Sequence, residues 1–366
     1  MPPRALIFTA STPAGHDSAA EVLAAGLRER GATAAIVDGV EAGGSAARAI
    51  LRGTAALERA AGGRVFDAGY RLATGVGPVR RAGSRVLDQV LGERVQAYLR
   101  AHEADVAVST HPLTTELLGR LRASGRLATP VVSAIADLAA LHFKAHPGVD
   151  LHLVAHPESE AEVRSIAGPS TRIEAADGLT DPRLRDPPER NAARAELELP
   201  TRGSLVVVSG GARGAGDLAT AIETAIHYSA DTIVVLTGAN AAARDRLRAR
   251  FGEHERVRVQ GFPDDMVALL AAADVLIHST AGPVVLDARM CDCRVISYGW
   301  PYGPVRVSER AYERLDFVSV ARSRTELAHA LVAALSAPPA HVAIPELPAA
   351  ADLVLELCSR EPARAG

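Results

Sequence analysis

Short apolar runs alternate along the chain with longer stretches in which apolar positions recur at helical spacing. Short continuous apolar runs are typical of strands buried on both faces of a parallel sheet, and the stretches between them predict covering helices. The predicted strands are residues 5–9, 33–37, 106–109, 131–135, 151–154, 172–175, 205–209, 232–237, 257–260, 275–278 and 294–298. This order predicts an α/β protein built on doubly wound parallel sheets.

The pattern divides at residues 179–202, a segment rich in proline and charge without a long apolar run. Such a segment is typical of a linker, here with a short helix at 189–197. Each half begins with a strand, a glycine-containing loop and a helix. We therefore predict Rossmann-like domains over 1–178 and 203–345 that face a cleft, and a final segment, 346–366, that packs back on the amino-terminal domain.

The loop after the first strand brings a histidine to the place where open α/β sheets bind ligands. Gly15 and His16 follow strand 5–9 and lead into a helical pattern. A histidine at this position can serve as a general base. It can equally be a polar residue that caps a tight strand-to-helix turn.

A second glycine loop follows the first strand of the second half. Gly210, Gly211 and Gly214 allow a ligand to approach the backbone closely, and the next helix would present its N-terminus to a diphosphate. Arg213 could add a charge-assisted contact. The spacing differs from the G-x-G-x-x-G fingerprint, which disfavours a nicotinamide-dependent dehydrogenase.

Two later loops of the second half carry further candidate residues. Phe262 follows strand 257–260, where it could lie against a base or fill the core, and Asp264 is predicted to cap the next helix. Asp287 belongs to the helix after strand 275–278. Its carboxylate could accept hydrogen bonds from a ribose diol, or it could stabilise the dipole of its own helix.

Residues 43–100 contain no predicted strand and carry ten arginines against four acidic residues, although the whole chain has a net charge of −3. Apolar and aromatic residues, among them Tyr70, are interleaved with arginines such as Arg80 and Arg81. The pattern predicts either an amphipathic surface for anionic lipid headgroups or an anionic acceptor, or a solvated helical face. The overall charge gives no indication of nucleic-acid binding.

No cofactor or metal is predicted. The cysteines Cys291, Cys293 and Cys358 form no disulfide framework, which favours a reducing cytosol. The histidines and aspartates between 137 and 152 match no standard metal-ligand spacing. Since no apolar run reaches about 18 residues, we expect a cytoplasmic protein that is peripheral on the inner face of the membrane.

Six segments in order resemble the monogalactosyldiacylglycerol synthase family and, more distantly, the peptidoglycan N-acetylglucosaminyl transferase. The segments are 11–21, 104–118, Asp137 with 146–153, 210–216, 261–273 and 278–299. The resemblance implies the two-domain B-type glycosyltransferase fold. It also implies an inverting, metal-independent transfer of a sugar from a nucleotide donor, usually UDP-linked, to the hydroxyl group of a lipid such as diacylglycerol or of another hydrophobic acceptor.

The resemblance also implies roles for individual residues. His16 would be the general base, and Asp137 would lie near the acceptor or orient the base. The implied donor-binding residues, with Phe262 and Met266 bordering the uracil, are Gly210, Gly211, Arg213, Gly214, Phe262, Met266, His278, Ala281, Gly282 and Asp287. The implied acceptor-binding residues are Gly15, Thr110, His111, Tyr70, Arg80 and Arg81, of which the last three fall where the family has its membrane surface.

The chain departs from the family in the donor half. Val284 stands where the family usually has threonine, and Asp287 stands where it has glutamate. Residues 300–308 replace a glycine-rich loop that carries histidine and asparagine. These changes keep two alternatives open: a nucleotide- or lipid-binding paralogue without turnover, and a sugar-nucleotide epimerase of the same fold.

Overall fold

The computed structural model describes residues 2–9, 16–228, 230–337 and 345–359 of the 366-residue chain. The chain forms two compact units. The first runs from the amino terminus to Asp181 and also includes the carboxyl-terminal segment from Glu346. The second comprises Pro182–Pro345.

The first unit contains a six-stranded parallel sheet covered by helices. Its strands are β1 (Arg4–Thr9), β2 (Thr33–Asp38), β3 (Val106–Ser109), β4 (Val131–Ile135), β5 (Leu151–Val154) and β6 (Ile173–Ala175). Its helices are α1 (His16–Glu29), α2 (Gly39–Gly75), α3 (Gly77–Ala101), α4 (Pro112–Ala123), α5 (Glu160–Ala167) and, at the carboxyl terminus, α13 (Ala350–Ser359).

The strand order β2-β1-β3-β4-β5-β6 places the reversal of winding between β1 and β3. Ligands of doubly wound sheets bind outside the carboxyl ends of the strands at such a reversal. The residues that follow β1 and β3 therefore share the position where a ligand of this unit is expected.

The second unit repeats this architecture. Its strands are β7 (Leu205–Ser209), β8 (Thr232–Leu236), β9 (Val257–Gln260), β10 (Val275–His278), β11 (Arg294–Tyr298) and β12 (Ser319–Ala321). Its helices are α6 (Arg190–Glu196), α7 (Leu218–His227), α8 (Ala241–Phe251), α9 (Met266–Ala272), α10 (Pro283–Met290), α11 (Pro304–Arg314) and α12 (Arg324–Ser336). The order β12-β11-β10-β7-β8-β9 places the reversal between β7 and β10.

The carboxyl-terminal helix belongs to the core of the first unit. Ala351, Val354 and Leu357 of α13 pack with Leu23 and Leu27 of α1 in one buried apolar cluster over the sheet. The α13 helix is therefore held by apolar burial, the main favourable contribution to folding.

The region 43–100 forms the two long helices α2 and α3, which pack against each other. Val76 between them is extended, with φ −108° and ψ 97°, and Pro78 occupies the first turn of α3. An extended residue followed by proline in the first turn is a regular way to begin a helix. Leu87, Leu91 and Val95 of α3 are buried against the sheet.

The predicted α/β class is confirmed, and every predicted strand is present. The strand that the sequence pattern missed is β12, which has only three residues. Part of the segment predicted as a linker is integrated into the second unit, because α6 packs on α9. Arg194 of α6 is buried there and donates to the backbone oxygens of Ala272 and Gly203 and to the Asp274 carboxylate, each at 2.9 Å.

Candidate functional site

The carboxyl edge of the first sheet carries Thr110 and His111, two of the six residues predicted to bind the acceptor. Helix α1 begins at His16, after β1. Gly15 and the His16 side chain lie outside the described residues. Thr110, directly after β3, is buried and its backbone N–H donates to the Phe8 carbonyl oxygen of β1 at 3.0 Å. His16 and Thr110 thus follow β1 and β3, the two strands between which the winding reverses.

His111 caps the N-terminus of α4. Its Nδ1 accepts a hydrogen bond from the backbone N–H of Leu113 at 3.3 Å, so this nitrogen is unprotonated. Burial lowers the pKa of His111 to about 4, and the nearby charge of Lys144 acts in the same direction. His111 is therefore a neutral capping residue at neutral pH.

Asp137 follows β4 on the same edge and forms an ion pair with Lys144. The Lys144 side chain is almost completely buried, and burial lowers the pKa of its amine to about 7. Sequence reasoning selected Asp137 and passed over its partner. The available signal was composition, because Lys144 is the only lysine among the 40 lysine and arginine residues of the chain.

The three remaining predicted acceptor-binding residues lie on α2 and α3. Arg80 and Arg81 line a cavity of about 160 Å³ together with Arg120 and His142. Tyr70 is half-buried on α2, one turn before its carboxyl end. Glu116 also lines the cavity and Arg120 pairs with Asp88, so Arg80 and Arg81 supply an excess of positive charge that favours an anionic group.

Both long helices expose apolar side chains beside these arginines. The exposed apolar positions, which we call the apolar stripe, are Val65, Leu72, Val76, Val79, Val86 and Val90, with Val76 between the two helices. Spacings of seven and four residues keep Val65 with Leu72 on one face of α2, and Val79, Val86 and Val90 on one face of α3. Exposed apolar side chains grouped on one surface of a folded protein generally mark a site of interaction with a protein or a membrane.

The loop at 210–216 lies at the carboxyl edge of the second sheet. Its conformation requires glycine at more than one position. Gly214 is left-handed, with φ 58°, and a Cβ atom there would lie 2.5 Å from the Thr237 carbonyl oxygen. A Cβ atom on Gly210 would lie 2.6 Å from the Gly214 backbone. Asp217 then caps α7 by accepting from the Thr220 backbone N–H at 3.1 Å. The loop is thus a tight, preorganised turn that leads into a helix N-terminus.

The loop after β10 packs on this glycine turn. Gly211 approaches Thr280 so closely that a Cβ atom would lie 2.4 Å from the Thr280 Oγ1. His278 is buried and its Nε2 is 3.1 Å from the same hydroxyl oxygen. Burial lowers the pKa of His278 to about 4, so its ring is neutral. Its contact with Thr280 supports the loop that Ala281 and Gly282 continue.

A tyrosine on α11 fixes the start of α10. The buried Tyr312 hydroxyl oxygen accepts a hydrogen bond from the Gly282 backbone N–H, and burial raises the pKa of the phenol. Asp287, on α10, lies close enough to Tyr312 to influence that pKa electrostatically. Sequence reasoning missed Tyr312, because the contact joins two helices that β11 separates in the chain.

Phe262 and Met266 flank the loop after β9. Phe262 is 55% exposed, and Met266 is the first residue of α9. The prediction that Asp264 caps this helix is wrong. Asp265 does so by accepting from the Ala268 backbone N–H at 2.9 Å, since the helix begins one residue later than the pattern indicated. Phe262 is thereby left as an exposed aromatic side chain beside Gly261.

No group of three or more histidine, cysteine, aspartate or glutamate side chains is arranged to hold a metal ion within the described ranges. Among the described helices, none is both long enough and apolar enough to cross a membrane.

Comparison with solved structures identifies the architecture. MurG of Acinetobacter baumannii is 11% identical, with 98% of this chain and 94% of that chain covered and a TM-score of 0.55. Anabaena Alr3699/HepE in complex with UDP and glucose is 16% identical, with 91% and 90% covered and a TM-score of 0.51. The chain has the B-type glycosyltransferase fold. A Listeria monocytogenes protein assigned as a UDP-N-acetylglucosamine 2-epimerase shares the fold at 14% identity, 92% and 89% coverage and a TM-score of 0.52.

The first unit also matches a family model at the level of sequence. Residues 16–176 match the family model of monogalactosyldiacylglycerol (MGDG) synthase, which confirms the resemblance for this part of the chain. The matched region runs from the first residue of α1 to the end of β6. A search of curated proteins found no match.

Proposed function

We propose that the protein is an inverting, metal-independent glycosyltransferase that moves a sugar from a UDP-linked donor to the hydroxyl group of a membrane lipid such as diacylglycerol. The match of the first unit to the MGDG synthase family carries this proposal. The B-type glycosyltransferase fold and the presence of UDP and glucose in the Anabaena structure support a nucleotide-sugar donor.

The first unit would bind the acceptor at the membrane surface. The apolar stripe supplies side chains that can enter the headgroup region, and neighbouring arginines such as Arg80 and Arg81 supply charge for anionic lipids. A protein so placed would take a lipid acceptor from the bilayer while remaining on its surface. Helix α3 also lines the cavity beside Arg80 and Arg81, and this cavity would accept a lipid phosphate.

The second unit would bind the donor at the glycine loop. The backbone N–H groups of the 210–216 turn and the N-terminus of α7 favour a diphosphate, with Arg213 adding charge. These groups can stabilise the departing diphosphate without a cation. Phe262 and Met266 would border the base, and Asp287 would accept hydrogen bonds from the ribose.

In the proposed reaction, His16 removes the proton from the acceptor hydroxyl as its oxygen attacks C1 of the sugar. The new C–O bond forms on the face opposite the leaving UDP, so the configuration at C1 inverts, and UDP leaves with the electron pair of the broken bond. Placement of His16 at the N-terminus of α1 supports this role, because the positive end of the helix dipole favours the neutral imidazole that a base requires.

The experiment is UDP release from a panel of UDP-sugars, with and without diacylglycerol vesicles. We expect release that depends on acceptor, and a glycolipid product of inverted configuration by NMR. His16→Ala should lower turnover by about 10²–10⁴-fold and leave UDP affinity unchanged. Measurable UDP binding without release from any donor would contradict the proposal and favour a paralogue without turnover.

An epimerase is the second candidate, favoured by the fold shared with the Listeria protein. An epimerase would convert a UDP-sugar into its epimer without any acceptor. NMR of the donor after incubation without lipid therefore separates the two activities.

A further inference from the structure

The ion pair between Asp137 and Lys144 contains the single lysine of this chain. The sequence uses arginine almost everywhere, yet its single lysine is buried at the carboxyl edge of the first sheet. Arginine keeps its charge under all ordinary conditions, whereas a buried lysine amine can gain or lose its proton near neutral pH. Lysine at this position therefore provides an amine whose charge can change near neutral pH, which arginine would not provide.

The backbone around the pair is held at both ends. Ser133 Oγ donates to the Lys144 carbonyl oxygen at 2.6 Å, and the Lys144 backbone N–H donates to the Leu141 carbonyl oxygen at 2.8 Å. At the other end, Ser159 Oγ donates to the Asp137 carbonyl oxygen at 3.2 Å. The loop from 137 to 144 is thus anchored, and its two ends meet through the ion pair.

The carboxylate is only partly covered by the lysine. Asp137 Oδ2 is buried, while 20% of the Asp137 side chain remains exposed. The neutral His111 ring, at the N-cap of α4, lies near enough to Lys144 and to Asp38 at the end of β2 for both charges to influence its pKa. Asp38 is the last residue of β2, and His111 and Asp137 follow β3 and β4, so all three lie at the carboxyl edge of the first sheet.

We propose that Lys144 is a positioning residue of the acceptor site, whose ammonium keeps the Asp137 carboxylate ionised and in place to accept a hydrogen bond from the acceptor hydroxyl. A purely stabilising role explains the pair poorly, because a buried ion pair is on average no more stabilising than apolar residues of similar size. This inference rests on the proposed function, since it assigns the ligand of Asp137.

The first experiment reads the pair without any enzymatic assay. Full-length protein labelled with [¹³C]lysine gives one Cε signal, whose chemical shift reports the charge of Lys144. We expect the pH midpoint of the change in this chemical shift to lie below the ordinary lysine value of about 10.4. Asp137→Asn should lower this midpoint by about one further pH unit or more. Arg30→Met breaks the exposed Arg30–Asp352 pair of the same unit and should leave the midpoint unchanged. An equal midpoint in wild type and Asp137→Asn would overturn the inference.

The second experiment reads the pair through turnover with diacylglycerol. Lys144→Met should lower kcat/KM for the acceptor by about tenfold or more and leave the KM for the donor unchanged. The wild-type rate should fall as the pH rises through the Lys144 pKa, whereas Lys144→Arg, which cannot lose its charge, should lack this alkaline decline. A merely structural lysine would not move the pH profile.

The outcomes separate the two hypotheses. If the wild type turns over and Lys144→Met retains its acceptor kcat/KM within about twofold, the inference is wrong and the proposed function stands. Retention of the alkaline decline by Lys144→Arg has the same meaning. If the wild type transfers no sugar from any donor, the proposed function fails, whereas the NMR titration still decides whether Asp137 controls the charge of Lys144.

Discussion

The apolar stripe on α2 and α3 makes the sharpest prediction about how the protein reaches a lipid acceptor. Leu72 is 52% exposed and Val86 is 56% exposed, one on each helix. Replacing both with serine removes apolar surface while leaving every arginine and the net charge unchanged. The double variant Leu72→Ser/Val86→Ser therefore isolates the apolar contribution to membrane binding.

The expected effect follows from the exposed fraction. Complete burial of a valine or leucine side chain contributes about 1.5–3 kcal/mol. Because about half of each side chain is still available for burial, insertion into the headgroup region should contribute about 1 kcal/mol per residue, or about fivefold in affinity. The double variant should therefore bind vesicles about 25-fold more weakly if the two contributions are independent.

Vesicle co-sedimentation with phosphatidylcholine containing an anionic phospholipid provides the measurement. Val332→Ser on α12 is the matched control, because Val332 is 45% exposed in the second unit, away from the stripe. Increasing the salt concentration should weaken wild type and double variant by the same factor, since the charges are unchanged. Affinity of the double variant within twofold of wild type, or an equal loss for Val332→Ser, would refute membrane contact through the stripe.

Three further predictions concern stability and the donor loop. Arg194→Met should lower the free energy of unfolding in urea by about 1–3 kcal/mol for each of the two backbone carbonyls that it leaves without a donor, those of Ala272 and Gly203; Arg190→Met, half-buried on the Asp274 carboxylate, should cost about 0–1 kcal/mol, and equal losses would contradict the argument. Gly214→Ala should weaken UDP binding in calorimetry by about tenfold or more, whereas Gly53→Ala, with open space around it, should not. Since the folded-state pKa of His278 is about 4 against 6.5 for the free side chain, its contribution to stability is complete above about pH 6.5 and is lost as pH falls towards 4, by about 2 kcal/mol at pH 5; His278→Gln should reduce the slope of the urea stability curve over this window, the remaining slope coming from groups such as His111, His152 and His156, whose pKa values are also about 4, and an unchanged slope would show that His278 does not titrate.

The strands and the carboxyl edges of the two sheets could be predicted because buried parallel strands have a simple signal. Continuous apolar runs located β1, β3, β7 and β10, and the residues after them became the candidate site. The three residues of β12 include two that are not fully buried, so no apolar run marks them. The same limit applies to the Asp264 cap, since adjacent aspartates both satisfy the pattern and only the start of α9 selects Asp265.

The long helices show why exposure is harder to predict than helix formation. Leu87 and Leu91 of α3 are buried, whereas Val86 and Val90, each one residue earlier, are exposed. The sequence contains apolar residues at both registers. Packing of α3 against α4 and the sheet decides which set faces the core, and that choice requires tertiary contacts. The Asp137–Lys144 pair was missed for a related reason, because its two residues meet only when the 137–144 loop closes.

The two candidate edges differ in the kind of group they present, and this difference supports the proposed division of labour. The first edge gathers ionisable side chains whose pKa values burial has shifted, among them His111 and Lys144. Such groups suit a reaction step in which a hydroxyl must lose its proton. The second edge consists mainly of backbone around Gly210 and Gly214, with the neutral, buried His278 beneath it. Fixed backbone dipoles suit the other requirement, stabilisation of a leaving diphosphate whose charge grows during transfer. At the proposed donor edge, Asp287 is about 1.5 Å shorter than the glutamate that the resemblance implies, and Tyr312 holds the Gly282 end of its loop in place. In the proposed complex the donor ribose would lie closer to α10 than a glutamate would require, so we expect donor preference, rather than the chemistry of transfer, to be the property that these substitutions change.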